Sequence, residues 1–157
     1  MNRDLPQPDP ENTVRRRAHL RPGHLLLVFL GGAAGTAGRE AVNLLLPSQQ
    51  GFPTATFAVN ILGALLLGLL LESLGRFGGS PDRARRMRLL LGTGFMGGFT
   101  TYSTLAVDGA LLLGTGSAGL GALYALGSIV LGAAASWCGI LLGAARTRRN
   151  ASGEASR

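Results

Sequence analysis

The stretch that decides the fold is GFMGGFTTYST, residues 94–104, in the middle of a long uncharged segment. Its paired glycines, Gly97 and Gly98, are followed by five residues, 99–103, of which four carry hydroxyl groups. Paired Gly weakens a helix, and a break at membrane depth frees carbonyls that only a protein-lined cavity or a bound cation can satisfy. A close helix crossing, with the hydroxyls bonded to the preceding turn, is the alternative. We favour a broken helix with an ion site, because a plain crossing does not need four hydroxyls.

Long apolar segments surround this stretch on both sides. Apolar residues make up 46% of the 157 residues and another 25 are Gly, whereas charged residues are 15%, against about 25% in soluble domains. This composition argues against a soluble globular enzyme. Helices over the apolar segments would each cross about 30 Å of hydrocarbon. The sequence predicts an all-α membrane protein with four transmembrane helices, the third broken at mid-membrane, at residues 24–46, 53–75, 87–113 and 119–145.

The arginines are distributed very unevenly. All fifteen basic residues are Arg, and with four spans all except Arg39 fall on one side of the membrane. The positive-inside rule then predicts a multi-pass protein of the plasma membrane with both termini cytoplasmic. Residues 1–22 are predicted to be a disordered basic cytoplasmic tail, 23–146 the four-helix transmembrane domain and 147–157 a second disordered cytoplasmic tail. Because this topology explains the net charge of +7, the expected partner is the lipid bilayer and not nucleic acid.

Small residues and metal ligands give two further expectations. Glycines four residues apart allow helix backbones to approach closely in lipid, and such pairs occur at Gly31 and Gly35, at 94 and 98, and at 139 and 143. Cys138 is a lone cysteine, and the two histidines lie outside any carboxylate or cysteine cluster. A disulfide within the chain and a side-chain metal cluster are therefore not expected.

The few polar side chains within the spans are the candidate functional residues, since an unpaired polar group in hydrocarbon is costly. Asn60 could serve function or simply join two helices. Tyr124 and Ser128 share a helix face, and their hydroxyls could line a pore or pack between helices. Asp108 could face a vestibule or cap an interface. Arg39, next to Glu40 near the outer end of the first span, could form an interfacial ion pair and reach toward lipid headgroups.

Together these residues resemble one family, the small fluoride ion channels known as CrcB or Fluc proteins, over nearly all of 24–145. Residues 31–39 resemble its first-span motif GGxxGAxxR, and residues 55–63 resemble GTLxVNxxG. Residues 94–104 look like GFCGGFTTFST, which is highly specific, and Tyr124 with Ser128 fits YxxxS.

This resemblance implies an antiparallel dimer with two narrow pores that carry fluoride. Asn60 would donate its amide to the anion and Tyr102 would occupy the first pore-aromatic position. Pore hydroxyls would come from Ser103, Thr104, Tyr124 and Ser128. The backbone carbonyls of Gly97 and Thr100 would hold a structural sodium ion at the dimer interface. Neutral amide, hydroxyl and ring-edge groups suit a small anion, whereas carboxylates would repel it.

Two departures from the family pattern concern the pore and the partner. Leu105 stands where the family has its second pore aromatic, and Glu40 replaces the aromatic that usually follows the first-span Arg. In addition, an antiparallel homodimer needs subunits inserted both ways and therefore weak Arg bias, which this chain lacks. We expect either a homodimer or, in preference, a heterodimer with an oppositely oriented family member, in which one pore conducts better than the other.

A proton-coupled exporter of the small multidrug resistance type is the alternative function. That chemistry needs a carboxylate buried in the middle of the first span to exchange protons for cations. The only acid in the first span is Glu40, late in the span and beside Arg39, so the fluoride channel is the preferred hypothesis.

Overall fold

The computed structural model describes residues 22–46, 52–76, 79–114 and 116–154. Its regular elements are helices: α1 Pro22–Leu45, α2 Thr54–Gly75, α3 Pro81–Met87, a π-helical segment Arg88–Met96, α4 Gly97–Phe99, α5 Tyr102–Gly114 and α6 Ala118–Glu154. The prediction of an all-helical chain is confirmed for these residues. The predicted tail at 1–22 lies outside them except for Pro22, which begins α1.

The helices alternate in direction along the chain. Helix α1 and the segment 88–99 run in the same direction, since Gly31 lies against Leu90 and, further along both, Gly38 lies against Phe99. Helices α2 and α6 also run in the same sense, from the contact of Phe57 with Tyr124 to that of Glu72 with Gly143.

Neighbours in sequence, by contrast, run in opposite senses. Leu70 lies against Gly92 and Gly63 against Thr100, so α2 opposes the third segment, and Gly121 of α6 lies against Gly109 of α5. This up-and-down arrangement is the one expected when each segment crosses a membrane in turn.

Among the residues that the structure describes, three helices are long and apolar enough to span a membrane: Pro22–Leu45, Thr54–Gly75 and the part of α6 from Ala118 to Arg146. The predicted third span, 87–113, is instead divided among several shorter elements. Helix α6 continues to Glu154, past residue 147, where the sequence predicted the second tail to begin.

Backbones approach closely at the glycines that the sequence singled out. A Cβ at Gly31 would overlap the Leu90 carbonyl oxygen, and one at Gly35 would overlap that of Phe95. On the other side of the molecule, a Cβ at Gly139 would overlap the carbonyl of Leu65. The prediction of tight packing through small residues is confirmed at these positions, which fix α1 against the third segment and α6 against α2.

The outer surface of the helices is apolar. Large side chains such as Phe29, Leu44, Leu123 and Trp137 are more than half exposed. Exposure of this extent on several helices is characteristic of a surface in contact with lipid or with another protein chain.

Candidate functional site

The third segment is interrupted at Thr100 and Thr101. The helix ends at Phe99, Thr100 has an extended backbone with φ −77° and ψ 158°, and α5 begins at Tyr102. A broken third helix is therefore confirmed. The paired glycines, which suggested the break, remain helical at its edge, so the interruption falls at the two threonines that follow them.

Asn60 of α2 is bonded to the interrupted backbone. Its Oδ1 accepts from the Thr101 N–H at 2.8 Å, and its Nδ2 donates to the Thr101 carbonyl at 2.9 Å. A side-chain amide has two N–H donors, so this pair of bonds leaves one N–H available. The two bonds also fix the orientation of the amide, because only Oδ1 can accept from the Thr101 N–H.

The side chain of Thr101 starts the next helix. Its Oγ1 accepts from the Thr104 N–H at 3.2 Å and donates to the Thr104 hydroxyl at 2.9 Å, and the Ser103 hydroxyl lies 3.3 Å away. Accepting from the third residue of a helix is the bond of an N-cap. Thr101 is 8% exposed, so this cap is largely shielded from solvent.

These bonds leave two carbonyls without their usual donors. In a continuous helix, the Thr101 N–H would donate to Gly97 and the Thr104 N–H to Thr100; here they donate to Asn60 and to the Thr101 hydroxyl. Gly97 and Thr100 also line one open cavity of about 450 Å³ together with Thr93 and Asn60. Carbonyls at a helix break suit a cation, so these residues fit the predicted sodium site.

A second cavity, of about 220 Å³, lies on the other side of the break. It is lined by Asn60, Thr100, Thr101, Tyr102, Leu105, Ser128 and Ile129. Four of the seven predicted pore residues therefore surround one space. Tyr102 is 83% exposed, and its ring stands at the edge of this cavity and of an apolar groove between α5 and α6.

The hydroxyls of Tyr124 and Ser128 face the protein interior. Ser128 donates to the Tyr124 carbonyl at 2.6 Å, one turn earlier on α6. Tyr124 is 1% exposed, and its hydroxyl donates to Asp108 Oδ2 at 3.4 Å. Asp108 thus joins α5 to α6 in this structure. The shared helix face is confirmed, and a role of these hydroxyls in a pore stays a prediction.

Aromatic rings enclose Tyr124. Phe52 meets its ring edge-on, with centroids 5.5 Å apart, and Phe57 lies 6.4 Å away. Thr56 is also buried, at 7% exposed. Within the described part of the chain, no buried side-chain nitrogen or oxygen lacks a partner, so this polar group is accommodated at low cost.

The remaining predicted residues lie at the edges of the site. Ser103 and Thr104 are exposed on the first turn of α5 and join the site through Thr101. Arg39 lies on α1, away from both cavities. Its neighbour Glu40 accepts from Asn43 at 3.2 Å, and no Arg39–Glu40 ion pair forms in the described ranges.

Thr101 is the residue that the sequence analysis missed. It was only one of several hydroxyls in 94–104, yet it contacts Asn60, Ser103 and Thr104. The signal available was a threonine placed after the helix-weakening glycine pair and immediately before the next helical run, which is the position of an N-cap. Thr56 and Phe52 were also missed, because they precede or begin a span that was read for its apolar residues.

Comparison with known proteins identifies the family. The family described as "CrcB-like protein, Camphor Resistance (CrcB)" matches residues 26–140. The chain belongs to the CrcB family. Members of this family are ion channels and not enzymes, as the sequence predicted.

Individual relatives of this CrcB chain cover most of it. A protein of Leifsonia xyli named "Fluoride-specific ion channel FluC 2" is 48% identical over 81% of this chain and 88% of the relative. A protein of Nitrobacter hamburgensis with the same name is 45% identical over 67% of this chain and 84% of the relative. One of Cutibacterium acnes, "Fluoride-specific ion channel FluC 1", is 42% identical over 74% and 82%.

Proposed function

We propose that the chain is a subunit of a fluoride-selective channel that passively exports fluoride from the cytoplasm and so gives fluoride resistance. The support is family membership, the fluoride-specific names of the relatives and the chemistry of the break. A cell interior that is negative drives anions outward by about 2.3 kcal/mol per charge per 100 mV. An open selective pore therefore needs no other energy source.

The amide of Asn60 carries this proposal. Thr101 holds the amide by both of its polar atoms, and the same side chain lines the cavity bounded by Tyr102 and Ser128. One N–H therefore remains for an anion, next to an aromatic ring whose edge is electropositive. No carboxylate lines this cavity among the described residues, so an anion is not repelled there.

We further propose that the carbonyls of Gly97 and Thr100 hold a structural sodium ion. The end of a helix carries partial negative charge, which favours a cation at Gly97–Phe99. Such an ion supplies positive charge beside the fluoride path and fixes the interrupted backbone. The open cavity at these residues is the place where a second subunit would complete the coordination.

The full assembly that we propose has four transmembrane crossings per subunit and two subunits in antiparallel orientation. The division of the third segment at a polar break explains why it is not one long apolar helix. With fourteen of fifteen arginines on one side, the preferred partner is an oppositely oriented family member. Two relatives are named FluC 2 and one FluC 1, a numbering consistent with paired chains.

The exporter alternative has less support. It requires a buried carboxylate in the middle of the first span, but Glu40 is exposed, lies in the second half of α1 and bonds Asn43. Within the described residues, the carboxylate nearest the proposed pore is Asp108, which accepts from Tyr124 on α6.

Fluoride efflux from liposomes tests the proposed function. Liposomes loaded with potassium fluoride and the purified chain, alone or with an oppositely oriented paralogue, are opened to potassium with valinomycin and followed with a fluoride electrode. Asn60→Asp removes the amide donor and should lower efflux about tenfold or more, since a hydrogen bond to a charged group contributes about 1.5–3 kcal/mol. Asn43→Asp, on the exposed end of α1, is the matched control.

The outcomes separate the proposals. Fluoride efflux without chloride efflux, lost in Asn60→Asp and kept in Asn43→Asp, supports the channel. Equal fluoride efflux from wild type and Asn60→Asp contradicts the role of the Asn60 amide, and no efflux in either preparation contradicts the channel. Robust efflux from the chain alone would refute the requirement for a second kind of subunit.

A further inference from the structure

The hydroxyl of Thr101 occupies a backbone donor that a regular helix would use elsewhere. Its Oγ1 accepts from the Thr104 N–H at 3.2 Å. In a continuous helix that N–H would donate to the carbonyl four residues earlier, which is Thr100. Thr100 lines the open cavity beside Gly97, and its backbone is extended, with ψ 158°, which keeps its carbonyl out of the helix. By satisfying the Thr104 N–H, the hydroxyl of Thr101 stabilises the helix start at Tyr102 and therefore this extended conformation.

We propose that Thr101 is a positioning residue for the cation site: its hydroxyl caps α5 at the Thr104 N–H, stabilises the break, and thereby keeps the Thr100 carbonyl outside the helix and available to sodium. The inference rests on the sodium site of the proposed function and assigns a residue that does not itself contact the ion. The backbone of Thr101 likewise keeps the Gly97 carbonyl available, since its N–H donates to Asn60 and not to Gly97.

The geometry around Thr101 supports a single arrangement. Its hydroxyl donates its own hydrogen to Thr104 Oγ1 at 2.9 Å, which leaves its lone pairs facing the Thr104 N–H. Thr100 uses its hydroxyl on the Met96 carbonyl at 2.9 Å, so this side chain does not compete for the same donor. With Thr101 buried, water does not readily replace its hydroxyl.

A purely structural cap would give a different result from a positioning residue. Loss of an N-cap lowers stability at every sodium concentration. Loss of a residue that keeps a carbonyl available also weakens sodium binding, and therefore shifts the concentration at which sodium stabilises the protein. The sodium concentration at which stabilisation begins thus distinguishes the two roles.

The experiment measures thermal unfolding of the purified full-length chain in detergent, alone and in complex with the oppositely oriented paralogue, with sodium chloride replaced stepwise by choline chloride at constant ionic strength. Thr101→Val keeps the shape and removes the hydroxyl, and Thr101→Ala removes it with less bulk, in case the first variant fails to fold. Thr101→Ser keeps the hydroxyl. Thr36→Val, on an exposed face of α1, controls for loss of a threonine hydroxyl.

We expect stabilisation by sodium to begin at the same concentration in wild type, Thr101→Ser and Thr36→Val, and at an about tenfold higher concentration in the Val and Ala variants at 101. An unchanged onset concentration in either folded variant would overturn the inference. If wild type conducts fluoride but is not stabilised by sodium, the inference about Thr101 is overturned and the proposed channel function is retained. If the sodium dependence shifts as expected but the chain gives no fluoride efflux, the inference is supported and the channel function is contradicted.

Discussion

Leu105 stands where the resemblance to the family leads us to expect a second pore aromatic. It is half-buried and lines the cavity shared by Asn60, Tyr102 and Ser128. An aliphatic side chain has no electropositive ring edge, so it excludes water from this cavity without stabilising an anion. The same residue also borders the groove between α5 and α6, which leaves room for a larger side chain.

Replacing this leucine by an aromatic should strengthen the anion path. Leu105→Phe should raise fluoride efflux about two- to tenfold, since an aromatic edge interaction contributes about 0.5–1.5 kcal/mol. Efflux from liposomes measures the change, with Leu111→Phe, an exposed position on the same helix, as the control. A decrease, or an equal increase in the control, would show that the ring acts by packing and not by contact with the anion.

The close approach of α2 and α6 gives a prediction for whole elements. Gly139 lies against the Leu65 carbonyl, whereas Gly127 on the same helix has open space around it. Gly139→Ala should therefore force the helices apart at a cost of about 1–3 kcal/mol, and Gly127→Ala should be neutral or slightly stabilising, since Ala favours helix. Denaturation in mixed micelles measures both, and equal stability of the two variants would contradict this packing.

The sequence predicted the helices, their close contacts and the break, because hydrophobic length, Gly spacing and hydroxyl clustering are local signals. Asn60 was identified as a polar residue in a span, but its bonds to Thr101 join positions 41 residues apart. Such a partner depends on how α2 packs against the third segment. The π-helical segment Arg88–Met96 was also missed, since no residue pattern in it differs from that of an ordinary apolar helix.

The polar groups in α6 also show which features a sequence pattern does not predict. Helical spacing predicted that Tyr124 and Ser128 share a face, and they do. Whether the hydroxyls point to a pore depends on partners from other elements, and here Tyr124 meets Asp108 and Phe52. Periodicity within one helix does not contain that information.

At the scale of the whole molecule, the arginine-rich ends of several helices lie together. Arg76 follows the end of α2, and Arg146 of α6 borders a groove with Ser73 and Leu70. Within the described residues, Arg76 pairs with Glu72, and the other arginines of this end add net positive charge. Moving this end across a bilayer is unfavourable, so one insertion direction should dominate.

Cysteine labelling in cells tests that single orientation. In a Cys138→Ala background, Ser117→Cys, in the turn before α6, should react with a membrane-impermeant maleimide in intact cells. Ser80→Cys, at the start of α3 beside the arginine-rich segment, should react only after permeabilisation. Equal labelling of both positions in intact cells would mean that the chain inserts in both directions, and the Arg bias would then no longer require an oppositely oriented partner. Labelling of Ser117→Cys alone means that an antiparallel dimer needs a second kind of chain, since one sequence inserted in one direction cannot supply both subunits.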